Sequence, residues 1–412
     1  MDSIWKWPIA GRQQLAGTAG ELSFVGGAGD FDSRGLIAHA NDLPGQIPGT
    51  MRNLAAALAI EGCALADIVR LKVFYKSDGT FNEGGLLAAL AKLFPDEPLP
   101  AITLHPTPLQ PFTGQSLQAQ AIAKRGWRHS EFRVASADAP MSQRAGLGGR
   151  KLTLALRAGE FIAVPARTAI DEMAADQNGK VLAAGDGPEQ TRIAMSRLQE
   201  SLQAVGASLQ DAIKKEGYYF GTTQDQWAAM AKVRASHFRE PGPVATVVPC
   251  HALWPQGALT KIEVLAMRES WNGFDKYIPR EDRWPKRVWD WPVPLPYRQA
   301  IRLRGQIWLG GQVPWATNSN AGNVVLAGQV PPQTQFTMSY LEDLLGAFGK
   351  TTADLKLMVA YFTSGGSEAE SQAFVETLAN CIAGPLPPLT LVPQPHMHTS
   401  EMTVEIWGIA RG

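Results

Sequence analysis

The stretch LAAALAIEGCALADIVRLKVFY (54–75) decides the fold, because its pattern occurs twice more in the chain. The other two copies read LQESLQAVGASLQDAIKKEGYY (198–219) and LEDLLGAFGKTTADLKLMVAYF (341–362). Each copy has two leucines four residues apart, then a glycine four residues later and an aspartate five beyond it. The aspartates recur after 144 and 143 residues. A pattern repeated at a fixed period indicates tandem structural units.

The order of secondary structure within one unit follows from the periodicity. Leucines at i and i+4 place an apolar stripe on one face of a helix, and a glycine just beyond it is typical of a helix C-terminus. After the aspartate the period changes to two, which indicates a strand. Opening strands are predicted at 21–30, 159–168 and 305–314, second helices at 84–94 and 225–238, and closing strands at 116–123, 260–267 and 402–409. The unit is therefore α+β, a mixed β-sheet packed on two helices.

These units divide the chain into three domains and two linkers. We predict repeat 1 at 1–124, a linker at 125–150, repeat 2 at 151–267, a Trp/Pro-rich linker at 268–295 and repeat 3 at 296–412. The second linker holds four tryptophans, so we expect it to pack as a hydrophobic clasp between domains. A substrate lid is the alternative interpretation.

Composition excludes several classes of protein. The chain has 412 residues with 38 basic and 38 acidic side chains, and a net charge of zero argues against a nucleic-acid partner. The 45% hydrophobic and 18% charged residues are typical of a globular protein. Three cysteines are too few for a disulfide scaffold or a zinc ribbon. Neither a signal peptide nor a membrane span is evident, so we expect a soluble cytoplasmic protein.

The repeat resembles the RidA family, also called YjgF, of enamine/imine deaminases. The segment QTRIAMSRLQESLQAVGASLQDAIKKEGYYFGT (190–222) is similar to the family's central segment, and Gly310–Pro314 is nearest to its opening motif. The resemblance covers about 350 of the 412 residues. Family members are homotrimers with pockets between subunits. The resemblance thus implies a single-chain pseudo-trimer with three non-identical pockets, acting as a monomer or low-order homo-oligomer.

Two functional positions of the family are changed in this chain. The family's carboxylate-binding arginine, in its P-A-R-S-T-V segment, matches Ile102, Ala245 and Leu389, none of which can bind a carboxylate. The family glutamate that positions the attacking water matches Gln120, Leu265 and Trp407. We therefore do not expect ordinary iminoacrylate deaminase activity, because fold does not confer function without the site. The ligand should be less acidic and more aromatic or apolar than the family's.

Histidines and glutamates near the closing strands remain as candidates for chemistry. Histidine titrates near neutrality and can act as a general acid or base, and a glutamate beside an apolar neighbour can have a raised pKa. These residues could instead be rim residues, or carboxylates paired with arginine. The candidate catalytic residues are Glu405, His398, His396, Glu263 and His251. The candidate substrate-binding residues are Gln312, Trp407, Gln118, Gln120 and His105.

Two other chemistries receive less support. His396 and His398 could share a strand face with Glu405 nearby, but a zinc site needs three or four ligands and the third is conjectural. Cys250 and His251 are adjacent, and adjacent residues on an extended chain point to opposite faces. We predict no metal and no cofactor.

Two hypotheses about function follow. The first is a small-molecule enzyme of the RidA superfamily with a changed inter-domain pocket, where His and Glu drive hydrolysis, deamination or dehydration of an aromatic or weakly acidic metabolite. Relatives with altered sites include chorismate-hydrolysing enzymes. The second is a non-catalytic protein that binds a ligand or partner on a degenerate scaffold. The closing segment of repeat 3 is the preferred location.

Overall fold

The structure is a computed structural model, and it describes most of the chain. The described residues are 4–9, 13–77, 83–176, 178–221, 223–270, 288–289, 291, 295–317 and 323–412. Most of the predicted second linker, including two of its four tryptophans, therefore lies outside the described residues. Within the described part, no helix is both long and apolar enough to cross a membrane.

Repeat 1 forms a five-stranded sheet with two helices. Its elements are β1 (Ala16–Ala19), β2 (Leu22–Ala28), α1 (Leu43–Ile60), β3 (Ile68–Lys76), α2 (Glu83–Ala91), β4 (Ala101–Thr107) and β5 (Leu117–Ala123). The spatial order is β1-β2-β5-β3-β4. Strands β3 and β4 run parallel, and the other neighbouring pairs are antiparallel.

Repeat 2 has the same plan with one additional strand. Its elements are β6 (Phe132–Ala137), β7 (Leu152–Ala158), β8 (Phe161–Arg167), α3 (Gly187–Ala204), β9 (Ala212–Phe220), α4 (Gln224–Ser236), β10 (Val244–Cys250) and β11 (Thr260–Met267). The order is β10-β9-β11-β8-β7-β6. Strand β6 lies in 125–150, which the sequence predicts to be a linker. It pairs with β7 at the sheet edge and is exposed or half-buried, so no apolar stripe marks it in the sequence.

Repeat 3 returns to five strands. Its elements are β12 (Ala300–Leu303), β13 (Gln306–Leu309), α5 (Val330–Gly346), β14 (Leu355–Thr363), α6 (Glu368–Asn380), β15 (Leu389–Gln394) and β16 (Val404–Arg411). Their order, β12-β13-β16-β14-β15, matches that of repeat 1. The α+β class predicted from the repeats is confirmed. The predicted order lacks one strand per repeat, because β4, β10 and β15 lie in the segments before the closing strands, where no strand was predicted.

The repeated glycine and aspartate play one local role in all three units. Gly62, Gly206 and Gly349 have φ of 68°, 80° and 70°, the left-handed conformation that ends a helix and that glycine adopts without strain. Each repeated aspartate accepts a hydrogen bond from the backbone N–H three residues earlier, at 2.8, 2.9 and 3.0 Å. This bond closes a short turn that directs the chain into the central strand. The spacing of glycine and aspartate is therefore a helix-to-strand connection.

Contacts between repeats close the three sheets into a ring. Ala166 of repeat 2 donates its N–H to Oγ1 of Thr103 in repeat 1 at 2.9 Å. Gly311 of repeat 3 donates its N–H to the carbonyl of Ala245 in repeat 2 at 2.8 Å. The Gln118 amide of repeat 1 donates to a carbonyl of repeat 3 at 2.6 Å. The chain is a single-chain pseudo-trimer of three RidA-like units.

A buried charge cluster joins repeats 1 and 2. Arg70 donates to Glu263 at 2.9 Å and to Glu216 at 3.1 Å, and Lys72 donates to Glu216 at 3.0 Å and also to Glu263. All four side chains are about 1% exposed. Burial alone would raise the pKa of Glu263, but the positive charges of Arg70 and Lys72 outweigh burial and lower it to about 2. Two cations thus balance two carboxylates in the interior.

Removing one carboxylate from this cluster should be strongly destabilising. We expect Glu263→Gln to lower the free energy of unfolding by about 3–5 kcal/mol, because it leaves a buried cation without its counter-charge. Since the folded pKa of Glu263 lies below its unfolded value, its stabilising contribution is present above pH 4.5 and is lost as the pH falls toward 2. Urea unfolding at several pH values measures both effects. Glu342→Gln, an exposed carboxylate on α5, is the control, and equal losses in both variants would contradict the prediction.

Candidate active site

A cavity of about 80 Å³ lies between repeats 2 and 3, and we call it the repeat 2/3 cavity. Strands β9 and β10 and helix α4 form one side. The other side is formed by the segments before β12 and after β13, and by β16 with the segment before it. Its aromatic walls are Tyr219, Trp227, Trp289, Trp291, Tyr297 and Trp315. Its charged and titratable residues are Lys215, Arg234, His398 and Glu405. The cavity therefore combines flat apolar walls with several ionisable groups.

Three side chains form a hydrogen-bonded chain along one wall. Nδ1 of His398 lies 3.1 Å from the Tyr219 hydroxyl, and Nε2 lies 2.9 Å from Oε2 of Glu405. Burial raises the pKa of Tyr219 well above its usual range, so the phenol stays protonated. Its hydroxyl therefore donates a hydrogen bond to Nδ1. That leaves Nε2 to carry the ring hydrogen and donate it to Glu405, a tautomer assigned from the network. The arrangement is that of an oriented acid–base pair.

Glu405 reaches the cavity because Gly311 has no side chain. A Cβ built on Gly311 would clash with Oε1 of Glu405, so a larger residue would displace the carboxylate from this position. Gly311 lies in the segment Gly310–Pro314, which is similar to the opening motif of the family. Its local role is to admit the carboxylate.

Two cations on the cavity wall have no hydrogen-bond partner among the described residues. These are Nζ of Lys215 and all three guanidinium nitrogens of Arg234. Burial lowers the pKa of Lys215 well below its usual value, and the charges of Arg234 and Lys214 lower it further. Nζ of Lys215 also lies 4.6 Å from the centre of the Tyr297 ring. Unpaired buried cations are rare in protein interiors.

Lys214 is buried beneath the cavity rather than in its wall. Its Nζ donates to Oγ1 of Thr246 at 2.6 Å and lies 4.0 Å from the centre of the Trp407 ring. Burial lowers its pKa to about 7, although the nearby Glu216 and Glu405 carboxylates oppose the shift. Lys214 is therefore a buried amine that titrates near neutrality.

The structure brings together His398 and Glu405 but not the other histidines. His251 and His396 lie beside each other with ring centres 5.5 Å apart, across repeats 2 and 3, and neither lines a described cavity. His105 lies within β4 rather than in a loop, is fully buried and stacks on Tyr218 at 3.7 Å. His105 is therefore part of the inter-repeat core, while His251 and His396 lie outside the described cavities.

Gln312 positions the linker instead of lining the cavity. Its Oε1 accepts from Nε1 of Trp289 at 3.1 Å, and its Nε2 donates to Gln299 at 2.7 Å. Trp289 in turn packs edge-on against Trp291 and Trp315 in the cavity wall. The described part of the second linker thus packs against the domains and covers the site.

Three further predicted binding residues are buried between the repeats. Trp407 is fully buried beside Lys214. Gln118 bonds to Leu391, and Gln120 donates to Thr390 at 3.0 Å and accepts from Arg70. None of the three lines either of the described inter-repeat cavities. Their contacts join neighbouring repeats.

The strand register corrects one match to the family pattern. Gln120 faces Lys72 and Trp407 faces Val359, and both partners lie five residues after the repeated aspartate. In repeat 2 the equivalent partner, Glu216, faces Glu263. The family glutamate is therefore matched by Glu263 and not by Leu265, an offset of two residues. Its pKa is lowered and it is held by Arg70 and Lys72, so the hypothesis of a raised-pKa acid at Glu263 is wrong.

Sequence reasoning missed Tyr219, Lys215 and Arg234. A signal for the cations exists in the repeat comparison. Lys215 lies four residues after the aspartate, where the other repeats have Leu71 and Met358. Arg234 lies eleven residues after the N-cap of α4, where α6 has the buried Leu378. A charge at a position that is apolar in sister repeats is unusual and points to a special role.

A second cavity, of about 350 Å³, lies between repeats 1 and 2. Ile102, at the family's arginine position, lines it. Glu83 and Lys261 also line it, but they pair with each other at 2.9 Å. No histidine lines this cavity. Nor do the described residues include a group of three or more His, Cys, Asp or Glu side chains suited to a metal ion.

The fold and the cavities define a class: a fused pseudo-trimer of α+β units with cavities between the repeats. The Endoribonuclease L-PSP family matches residues 151–268. A RutC family protein of Pyrococcus horikoshii is 31% identical over 115 residues, which are 28% of this chain and 85% of the relative. The chain belongs to this family, the RidA/YjgF family.

One solved structure has the same fold over most of the chain, and another is similar in sequence to one part of it. A chorismatase covers 85% of this chain and 94% of its own, with a TM-score of 0.53 and 13% identity. A YjgF-family protein from Mycobacterium tuberculosis covers 33% of this chain and 99% of its own, with a TM-score of 0.27 and 25% identity. The chorismatase match extends over most of the pseudo-trimer.

The buried amine of Lys214 gives a pH signature. Its folded pKa of about 7 is below the ordinary 10.5, so between these values the unfolded chain binds a proton that the folded chain does not. Stability then rises with pH. We expect the wild-type free energy of unfolding to rise relative to that of Lys214→Met from pH 7 to 9.5, by up to about 1.4 kcal/mol per pH unit. Urea titrations measure this difference, with the exposed Lys92→Met as control. Parallel curves for wild type and Lys214→Met would contradict it.

Proposed function

We propose that this RidA-superfamily protein is a small-molecule enzyme whose repeat 2/3 cavity performs acid–base chemistry with water. The reaction class is hydrolysis, deamination or dehydration, and the substrate carries an aromatic or other flat ring. The observation that carries the proposal is the Tyr219–His398–Glu405 chain along the wall of a ring-lined cavity. An oriented histidine–carboxylate pair facing a pocket is a feature of general acid–base catalysis.

The three hydrogen-bonded side chains have distinct roles in this proposal. Glu405 is the group at the cavity wall that accepts a proton from water or substrate. His398, hydrogen-bonded to it at 2.9 Å, supplies or removes the compensating proton. Tyr219 fixes the imidazole through Nδ1 and stacks on it with ring centres 5.9 Å apart. His398 and Glu405 are 16% and 5% exposed, so the pair is shielded but reachable from the cavity.

Ordinary iminoacrylate deamination fits this site poorly. Ala245 lines the cavity at the family's arginine position, and Glu263, at the family's glutamate position, is bound to two cations. Neither can act as in the family pattern. The acid–base groups in the repeat 2/3 cavity come instead from Tyr219, His398 and Glu405.

The second hypothesis, binding without catalysis, predicts a closed pocket filled by Trp407 and Leu265. Both residues are buried, but neither lines the cavity, into which His398 and Glu405 converge. This convergence favours an enzyme. Binding without turnover remains the outcome to be distinguished by experiment.

Turnover assays on two substrate classes test the proposal. Imines generated by an amino-acid oxidase are trapped with semicarbazide, comparing aromatic with aliphatic amino acids. Chorismate is the second substrate, because a chorismatase shares the fold. We expect turnover of at least one ring-bearing substrate, and faster loss of aromatic than of aliphatic imines. Ligand-induced thermal stabilisation without product from any substrate would instead support a binding protein.

Substitutions in the hydrogen-bonded chain should separate catalysis from binding. We expect Glu405→Gln and His398→Asn to lower kcat by about 10²- to 10⁴-fold, because each removes a proton-transfer group. Tyr219→Phe should lower kcat less, since the imidazole keeps its bond to Glu405. His251→Asn, an exposed histidine that lines no described cavity, is the matched control. Wild-type kcat in both Glu405→Gln and His398→Asn would refute the assignment.

A further inference from the structure

The repeat 2/3 cavity holds positive charge that the described residues do not neutralise. Nζ of Lys215 and three nitrogens of Arg234 lie within it without a hydrogen-bond partner among them. Both residues line the cavity, and Arg234 is 1% exposed. Glu405 is a carboxylate on the same cavity, but its hydrogen bond goes to His398. Two basic side chains are therefore buried together, and neither has a hydrogen-bonded anion among the described residues.

Such an arrangement costs stability unless a ligand completes it. A buried charge is normally paired or hydrogen-bonded, because water no longer solvates it. The other repeats have apolar residues at these positions, which are buried without the cost of burying a charge. Leu71 and Met358 occupy the position of Lys215, and Leu378 occupies that of Arg234. All three of these residues are buried. Packing alone thus does not require either cation.

We infer that Arg234 and Lys215 form a carboxylate-binding end in the repeat 2/3 cavity and that its ligand is a flat ring bearing a carboxylate. Guanidinium groups bind carboxylates through two parallel hydrogen bonds, and no guanidinium nitrogen of Arg234 has a partner among the described residues. Trp227, Trp291 and Trp315 supply flat walls for the ring. This inference names the substrate class of the proposed active site and so rests on the proposed function.

The inference corrects an expectation from the sequence. Loss of arginine at Ala245 suggests a ligand that is less acidic than the family's. Ala245 and Arg234 line the same cavity, and Arg234 comes from helix α4 rather than from the strand. The positive charge has therefore been supplied by another element, and an acidic ligand is expected again.

The ligand should also change the protonation of the site. Burial and the neighbouring charges of Arg234 and Lys214 hold the pKa of Lys215 well below its usual value. A carboxylate beside the amine favours its charged form. Binding of the anion should therefore favour proton uptake by the Lys215 amine.

Binding of benzoate and of its neutral isostere benzamide tests the inference without turnover. Isothermal titration calorimetry in two buffers of different ionisation enthalpy gives affinity and proton uptake. We expect benzoate to bind at least tenfold more tightly than benzamide, with net proton uptake. Equal affinities, or no binding of either compound at millimolar concentration, would overturn the inference.

Variants assign the preference to the two cations. Arg234→Met and Lys215→Met should each lose tenfold or more in benzoate affinity and little in benzamide affinity, and Lys215→Met should also lose the proton uptake. Their melting temperatures should equal or exceed that of the wild type, because an unpaired buried charge is removed. Lys232→Met, an exposed position on the same helix, is the control. An unchanged benzoate-to-benzamide ratio in either folded variant refutes the role of that residue.

Glu405→Gln distinguishes this inference from the proposed function. The variant should bind benzoate while turnover is lost. Benzoate binding by a wild-type protein that turns over no substrate would retain the carboxylate site and reject the enzyme. Turnover of neutral ring substrates without preference for carboxylates would retain the proposed enzyme and reject the carboxylate site.

Discussion

The buried cluster of Arg70, Lys72, Glu216 and Glu263 fixes how the first two repeats dock. Arg70 and Lys72 are two residues apart on β3 and so share one face, while Glu216 and Glu263 face each other across β9 and β11. Each cation bonds to both carboxylates. A shift of one repeat against the other would leave a buried charge unpaired, which costs far more than a lost apolar contact. Repeats 1 and 2 therefore have one favoured register against each other.

The same strand positions are used differently at the other two interfaces. Amides of Gln118 and Gln120 join repeats 1 and 3 without charge. Between repeats 2 and 3 the contacts open into a cavity, where two cations have no partner among the described residues. Fusion into one chain allows this divergence, because each interface is encoded once. A homotrimer must use the same residues at all three.

Much of the fold was predictable because its signals are local. The helix-ending glycines, the turn-closing aspartates and the alternating strands each act within a few residues, and their repetition showed the three units. Strand β6 was not predictable, since an exposed edge strand has no apolar stripe. Of the candidate site, His398 and Glu405 were found from their types and positions. Lys215 and Arg234 were not, because nothing along the chain shows that a lysine on β9 and an arginine on α4 face one space.

The sequence by itself determined the unit, its repetition and the loss of the family's arginine. It could not determine which inter-repeat cavity brings a histidine and a glutamate together, because that depends on side chains from two repeats meeting across a gap. Glu263 illustrates the limit: its alternation with apolar neighbours is visible in the sequence, but its pairing with Arg70, 193 residues away, is not. Charge balance in a buried interface is a property of the assembled sheets. Only the tertiary structure could therefore show Glu263 as a held ion and Glu405 as the carboxylate at the cavity.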